Sequence, residues 1–473
     1  MFQLSRKQQQ PTDQEPAVKF TQYYLDCLSQ ASYLVGDEAS GDAVVVDPRR
    51  DVEVYLADAA EAGLTIKGVI LTHFHADFVS GHLELAKATG AWIGYGEAAR
   101  PEFDFRPLVD GERISLGDVT LQIMSTPGHT PESISVLVFE HASDDEPYGV
   151  LTGDALFIGD VGRPDLLTSV GVSQAELASK LYDSIQRKLM GLPDGVRVFP
   201  AHGAGSACGK NLSTEKQSTI GEQRATNYAC QPMPEERFID IVTEGQPAAP
   251  AYFGFDAGVN KIERPVRELG ATVPALDAAG LAAALHEGAV ILDSRDPMDF
   301  ASGHIAGSVN VGFDGRMAET AGMVIRPGDA FVIVAEPGRE QESALRMARI
   351  GFDHAVGYVE NVEEYLYTHQ EVAERASRLT PRQMFAAIED PAVQLVDIRN
   401  IGELVNGVVE GAQHIPLAEL PTRADELDPT RPVVLHCAGG YRSSVGASWL
   451  RRHGYPDVSD VLGGYNAIAT ASV

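Results

Sequence analysis

The chain has 473 residues, more than one hydrophobic core accommodates, so two to four domains are expected. Its 37 Lys and Arg stand against 67 Asp and Glu, a formal charge of −30 that repels nucleic-acid backbones and anionic membrane surfaces. With 44% apolar and 22% charged residues, the composition is that of a folded protein and excludes a disordered or fibrous one.

Met1 to Pro16 is polar and lacks the apolar segment of a secretory signal, and no apolar run reaches membrane-spanning length, so the expected location is cytoplasmic. Cys27, Cys208, Cys230 and Cys437 are too scattered for a disulfide framework and are expected to be free thiols, the first three as small buried residues.

From Phe20 to about Val198, β-like runs alternate with helical stretches. The runs are AVVVDP from Ala43, GVILTHFH from Gly68, VTLQIMSTPGH from Val119, SVLVF from Ser135 and VLTGD from Val150. Several end on His or Asp, where a rigid sheet presents side chains to a ligand. The densest signal is His73, His75 and Asp77 in THFHAD, joined by His129 in TPGHT, Asp154 in TGDAL and His202 in PAHG. Imidazole and carboxylate groups projecting from separate strand ends can hold a divalent metal and leave coordination positions open for substrate.

This ordered set resembles the metallo-β-lactamase superfamily over roughly residues 20 to 230. In its binuclear zinc members, such as glyoxalase II, a His follows the motif Asp and binds a second metal; here that position is Phe78, which cannot coordinate. A mononuclear centre is therefore expected, with His82 as the one residue that could stand in. THFHADFVSGH, GDALFIGDVGRPDL and PAHGAGSACG are most similar to the persulfide dioxygenases of the superfamily. That resemblance implies one Fe(II) per chain, held by His73, His129 and Asp154, with His75, Asp77 and His202 around it or as further metal-binding candidates.

Two His and one carboxylate leave three adjacent positions, enough for a substrate sulfur and dioxygen; zinc in the same cage could only polarise a carbonyl or activate water. The implied reaction is RSSH + O2 + H2O giving RSH and sulfite, on a small thiol persulfide of glutathione or coenzyme A type. Arg163, in GRPDL, is expected either to orient its loop and neutralise an acidic carrier or to form an ordinary salt bridge.

The segment Gln231 to Pro274, rich in Pro, Ala and Gly, reads as closing helices and a linker. Beyond it the chain repeats itself. Val290 to Arg295 matches Gln394 to Arg399, Gly303 to Gly307 matches Gly407 to Gly411, and the run ending at Glu336 matches the run ending at Cys437. Each copy reads as a small α/β unit with a mainly parallel sheet.

The loop from Cys437 to Ser443 resembles the active-site loop of rhodaneses. A cysteine between a strand and a helix N-terminus, beside an Arg, is set up as a thiolate nucleophile that stores sulfur as a persulfide and passes it on. Cys437 and Arg442 are thus the expected catalytic residues, with Gly439, Gly440, Tyr441 and Ser443 around the substrate sulfur. Glu336 replaces the nucleophile in the first copy, which is expected to serve structure or docking.

The fold class expected is α/β multidomain: an αββα metallo-β-lactamase sandwich over 18–255, an inactive rhodanese-like domain over 275–370 and an active one over 378–473. Thiol persulfide, O2 and sulfite are the expected small-molecule partners, nucleic acid and membrane are not, and a homo-oligomer is left open. The rival reading is a zinc thioester hydrolase of glyoxalase II type, with the C-terminal half as a sulfurtransferase or persulfide-sensing module.

Overall fold

A computed structural model describes residues 18–166 and 171–471. The polar N-terminal stretch and the last two residues of the expected third domain lie outside the described residues.

Alternating Val, Ile and aromatic residues build a first sheet whose strands pair in chain order: Val18–Leu25, Gln30–Asp37, Asp42–Val46, Thr65–Ile70, Trp92–Gly96 and Arg106–Leu108. A second sheet runs Ser218–Thr219, Arg197–Pro200, Gly149–Gly153, Ile134–Phe139, Thr120–Ser125 and Arg113–Ser115. The inner faces close a shared apolar layer, with Tyr33, Val44 and Ile70 on one side and Leu121, Val136 and Leu151 on the other. Helix Glu53–Glu61 packs Tyr55 and Ala59 on the back of the first sheet. Helices Gln174–Tyr182 and Glu235–Thr243 cover the second sheet with Leu181 and Phe238. The result is the αββα sandwich.

Two further five-stranded sheets follow, both parallel and in the same order. In the first, Val290–Asp293 lies between Val309–Asn310 and Phe331–Val334, with Ala355–Val359 and Ala275–Leu276 beyond. In the second, Gln394–Asp397 lies between Gln413–His414 and Val433–His436, with Val458–Val461 and Ser377–Leu379 beyond. The two sheets superpose strand for strand in order, as the sequence repeat requires. Each carries the same buried fork, Arg295 on Asp293 and Arg399 on Asp397, with both closest contacts at 2.6 Å.

The modules interlock. Arg349, at the end of helix Glu340–Arg349, pairs in bidentate fashion with Asp51 of the sandwich (3.0 and 2.9 Å), and its carbonyl accepts from Val79 N (2.7 Å). Arg50 grips Asp353 (2.6 and 2.8 Å) and Glu84 (3.0 Å). On the other side of the middle module, Tyr441 donates to the Gly312 carbonyl (2.8 Å) and Trp449 Nε1 to the Val324 carbonyl (3.1 Å). One apolar cluster runs through all three, from Phe78 and Tyr252 through Met317 and Phe352 to Leu420 and Val445. Among the described residues, no helix is long and apolar enough to cross a membrane.

Candidate metal centre and cysteine loop

His73 follows the strand Thr65–Ile70, Asp154 follows Gly149–Gly153, and His129 sits in the turn between Thr120–Ser125 and Ile134–Phe139. All three lie at one edge of the sandwich and are 1% exposed. One ligand atom from each falls within 4.8 Å of the others. His73 Nε2 and His129 Nε2 stand 3.7 and 3.5 Å from Asp154 Oδ2.

The surrounding hydrogen bonds prepare these atoms. Thr72 Oγ1 donates to Asp47 Oδ2 (2.8 Å), so it accepts from His73 Nδ1–H (3.0 Å). His129 Nδ1–H donates to the Arg163 carbonyl (2.9 Å). Both rings therefore keep a bare Nε2 lone pair. Asp154 Oδ1 accepts from His202 Nδ1 (2.7 Å), which leaves Oδ2. Among the described residues, His73 Nε2 and Asp154 Oδ2 are buried with no hydrogen-bond partner, an arrangement that costs free energy unless a cation occupies the space between them. The donor set fits one divalent metal.

The charges agree. Burial, reinforced by His75, drives His73 well below the ordinary imidazole range, keeping it neutral. Burial alone would raise Asp154, but His202 and His73 hold it well below the usual carboxylate range. His202 would be depressed by burial; instead Asp154 and Asp77, the latter 2.8 Å from Nε2, push it well above the ordinary imidazole range.

A second grouping, Asp77, His202 and Cys208, brings its donor atoms within 4.8 Å. Cys208, read from sequence as incidental, therefore lies beside the centre. Burial, with Asp77 and Asp154, pushes its thiol well up, which suits a protonated thiol better than a ligand. Phe78 is fully buried, its ring 4.4 Å from that of His75, and His75 itself contacts Asp47 at 3.0 Å. His82 belongs to neither grouping: it meets Ser80 (2.9 Å) and Phe103, and burial with Arg264 lowers it to about 3. Asp77 Oδ1, however, is buried without a hydrogen-bond partner among the described residues.

Arg163, expected from sequence among substrate-binding groups, is 2% exposed, with its guanidinium committed to Asp165 (2.7 and 2.8 Å) and the Ala207 carbonyl (3.1 Å). Its contacts hold the loop that orients His129 and leave it no free face for a carrier. A cavity of about 390 Å³ opens on His129, lined by Phe74, Leu166 and Phe253, with Lys261 as its cation. Neither Asp47 nor Lys261 was singled out by sequence. Asp47 closes the run AVVVD and could have been found by the same strand-end rule as His73.

Cys437 lies between strand Val433–His436 and helix Tyr441–Arg452. Its Sγ accepts from Gly440 N (3.1 Å) and is 3.6 Å from Ser443 Oγ. Gly440 has φ +93°, and an added Cβ would come within 3.0 Å of Gly463 N, so the loop needs glycine there. Arg378, missed by sequence, bridges Asp460 (3.0 and 2.8 Å) and the Gly440 carbonyl (3.0 Å), pinning the loop from below. Gly439 is exposed at the tip. Arg442 is paired with Glu403 (2.7 and 2.6 Å) and Tyr441 with Gly312, so two residues expected at the substrate are engaged by protein. In the first copy, Val334 pairs with Asp293 as His436 pairs with Asp397, so Ala335 stands at the position of Cys437 and the Glu336 expected there lies one residue further on.

Compared with family models, residues 25–202 match the metallo-beta-lactamase superfamily, and 277–362 and 380–471 each match the rhodanese-like domain. Human mitochondrial persulfide dioxygenase ETHE1 is 31% identical over 200 residues, 41% of this chain and 69% of that protein. The hydroxyacylglutathione hydrolase of Rhodospirillum rubrum is 35% identical over 173 residues, 36% of this chain and 60% of that one. The crystal structure of a metallo-beta-lactamase from Staphylococcus aureus subsp. aureus COL superposes with a TM-score of 0.66 at 32% identity, covering 72% of this chain and 98% of its own.

Proposed function

The chain belongs to the metallo-β-lactamase superfamily, with persulfide dioxygenases among its relatives, and carries two rhodanese-like domains; from this premise we propose that it oxidises small thiol persulfides at one ferrous ion and transfers sulfur through Cys437. The observation that carries the reading is the trio His73, His129 and Asp154, whose ligand atoms are bared by their neighbours' hydrogen bonds. Ferrous iron held there supplies the dioxygen chemistry that zinc lacks. The chain's own residues do the rest. His202 fixes Asp154, Arg163 fixes His129, and Phe74 and Phe253 line an approach in which Lys261 can meet a carrier's carboxylate or phosphate. The domain limits we propose are 18–255, 275–370 and 378–473.

At the second centre, the Cys437 thiolate attacks the outer sulfur of RSSH. A Cys437–sulfur bond forms, the RS–S bond breaks, and its electron pair leaves on RS⁻, which takes up a proton. Sulfite made at the first centre is a fitting acceptor for the stored sulfur, and fusion raises its local concentration.

The zinc hydrolase reading has its own support in the Asp77, His202 and Cys208 grouping and the partnerless Asp77 Oδ1. Anaerobic purification, metal analysis and an oxygen-electrode assay with glutathione or coenzyme A persulfide separate the two. We expect about one iron per chain and persulfide-dependent oxygen uptake yielding sulfite or thiosulfate. About two zinc ions with thioester hydrolysis and no oxygen uptake would make the sandwich a hydrolase.

A further inference from the structure

A cavity of about 710 Å³ lies where the three modules meet. Gly205 and Lys210 of the loop after His202 form one wall, Arg316 and Glu319 of the middle module another, and Glu403 and Arg442 beside the Cys437 loop a third. We infer that this cavity binds the sulfur oxyanion of the Cys437 half-reaction, and that Arg316, supplied by the copy without a nucleophile, is the cation that holds it. The inference rests on the sulfur-transfer reading above.

Three cations line the space, and two are spoken for. Lys210 Nζ donates to the carbonyls of Ile241 (2.5 Å) and Glu244 (3.0 Å), and both Nη atoms of Arg442 go to Glu403. Arg316 differs. Among the described residues its Nε is buried with no hydrogen-bond acceptor, and its ion pair there is with Glu319 in the same turn. Nη1 faces Gly205 across the module boundary: φ there is +96°, and an added Cβ would come within 3.1 Å of Nη1. Glycine thus keeps the guanidinium uncrowded on the side of the sandwich.

Glu319 and Glu403 also line the cavity, but each is matched by the arginine it pairs with, so Lys210 leaves the wall cationic. Burial disfavours the charged form of Arg316, and Tyr252, Asp77 and Tyr24 oppose that effect only in part, so an incoming anion improves its surroundings. A guanidinium edge matches two oxygens of sulfite or thiosulfate, as it does those of carboxylate or phosphate.

The step balances without a further reagent. The sulfite sulfur attacks the outer sulfur of Cys437–S–SH; the new bond joins sulfane sulfur to sulfite, and the Sγ–S bond breaks with its electron pair on Sγ. The products are the Cys437 thiolate and HS–SO3⁻, which loses its proton to become thiosulfate. Sulfite is the product proposed for the metal centre, so the middle module would place an oxyanion made in one module beside Tyr441 and Arg442 of the loop that carries the nucleophile of another.

The test is steady-state thiosulfate formation by the full chain, with sulfite varied, and sulfur transfer to dithiothreitol as an uncharged comparison. Arg316→Ala is expected to raise the KM for sulfite about tenfold or more, Arg316→Lys less, and neither to move the KM for dithiothreitol. An unchanged KM for sulfite in Arg316→Ala, or equal rises for both acceptors, overturns the inference. Cys437→Ser, assayed alongside, must lose both transfers; if it retains them, the underlying sulfur-transfer reading fails instead. Should Arg316→Ala not fold, protection of Cys437 from iodoacetamide by thiosulfate is compared between wild type and Arg316→Gln, and equal protection overturns the proposal.

Discussion

Asp47 holds the metal loop from a backbone conformation that few side chains adopt, with φ at +50°. Such strain persists where the surroundings fix it, and here one carboxylate receives Thr72 N (2.7 Å) and Thr72 Oγ1 (2.8 Å) and contacts His75 Nε2 (3.0 Å). Through Thr72 it selects the His73 tautomer. Asp47→Ala is therefore expected to weaken metal binding about 10- to 100-fold, read by chelator competition on anaerobically prepared protein. His73, His129 and Asp154 were legible in the sequence because chemistry-bearing residues close apolar runs. Asp47 closes one too, but its importance depends on a dihedral angle and on a turn 25 residues away, neither of which is written in local pattern. Arg163 was legible as a residue near the site, and of the roles expected for it the salt bridge is the one on view, with its guanidinium on Asp165.

At the scale of elements, helix His82–Thr89 shows how the loop stays in place. Its Glu84 is buried between Arg264 (2.6 and 2.9 Å) and Arg50 (3.0 Å), while Asn260 donates to the carbonyls of His75 and Phe78 (2.8 Å each). Burial would raise the Glu84 carboxyl, but Arg264 and Arg50 bring it down from 4.5 to about 2. A depressed carboxyl stabilises the fold fully above its unfolded value and ceases to do so as pH falls through the folded one. Glu84→Gln is expected to cost about 3–5 kcal/mol at neutral pH in chemical denaturation. The gap to wild type should narrow between pH 4.5 and 2; a gap independent of pH would remove the charge from the explanation. The strands carrying the metal loop announced themselves as apolar runs, and the duplicated sheets as a repeat. Val18–Leu25 and Gln30–Asp37, mixed polar and aromatic, did not, because what makes them strands is each other.

Across the whole molecule, the sequence divides more cleanly than the structure does. The segment Gln231 to Pro274, read as closing helices and a linker, holds helices Glu235–Thr243 and Tyr252–Val259, but that Tyr252 fills the space beside Gly322 of the middle module was not legible. No local pattern reveals a surface that is buried only by a neighbour 70 residues on. Arg349→Ala removes the bidentate contact across the module boundary but leaves Asp51 its pair with Arg49 (2.9 Å), so it is expected to cost about 1–3 kcal/mol. By calorimetry, wild type should unfold in one cooperative transition through the shared apolar cluster, and the variant in two.

The middle copy also bears on descent. Its surfaces receive the metal loop through Arg349 on one side and the cysteine-bearing helix through Gly312 and Val324 on the other. Once a duplicated module is held between two neighbours, its nucleophile can be lost in a single substitution, whereas excising the module would orphan both contacts together. The ancestral duplication is in that sense a ratchet: the copy is free to drift in chemistry but not in shape, and lineages that shed it would have to rebuild two interfaces at once.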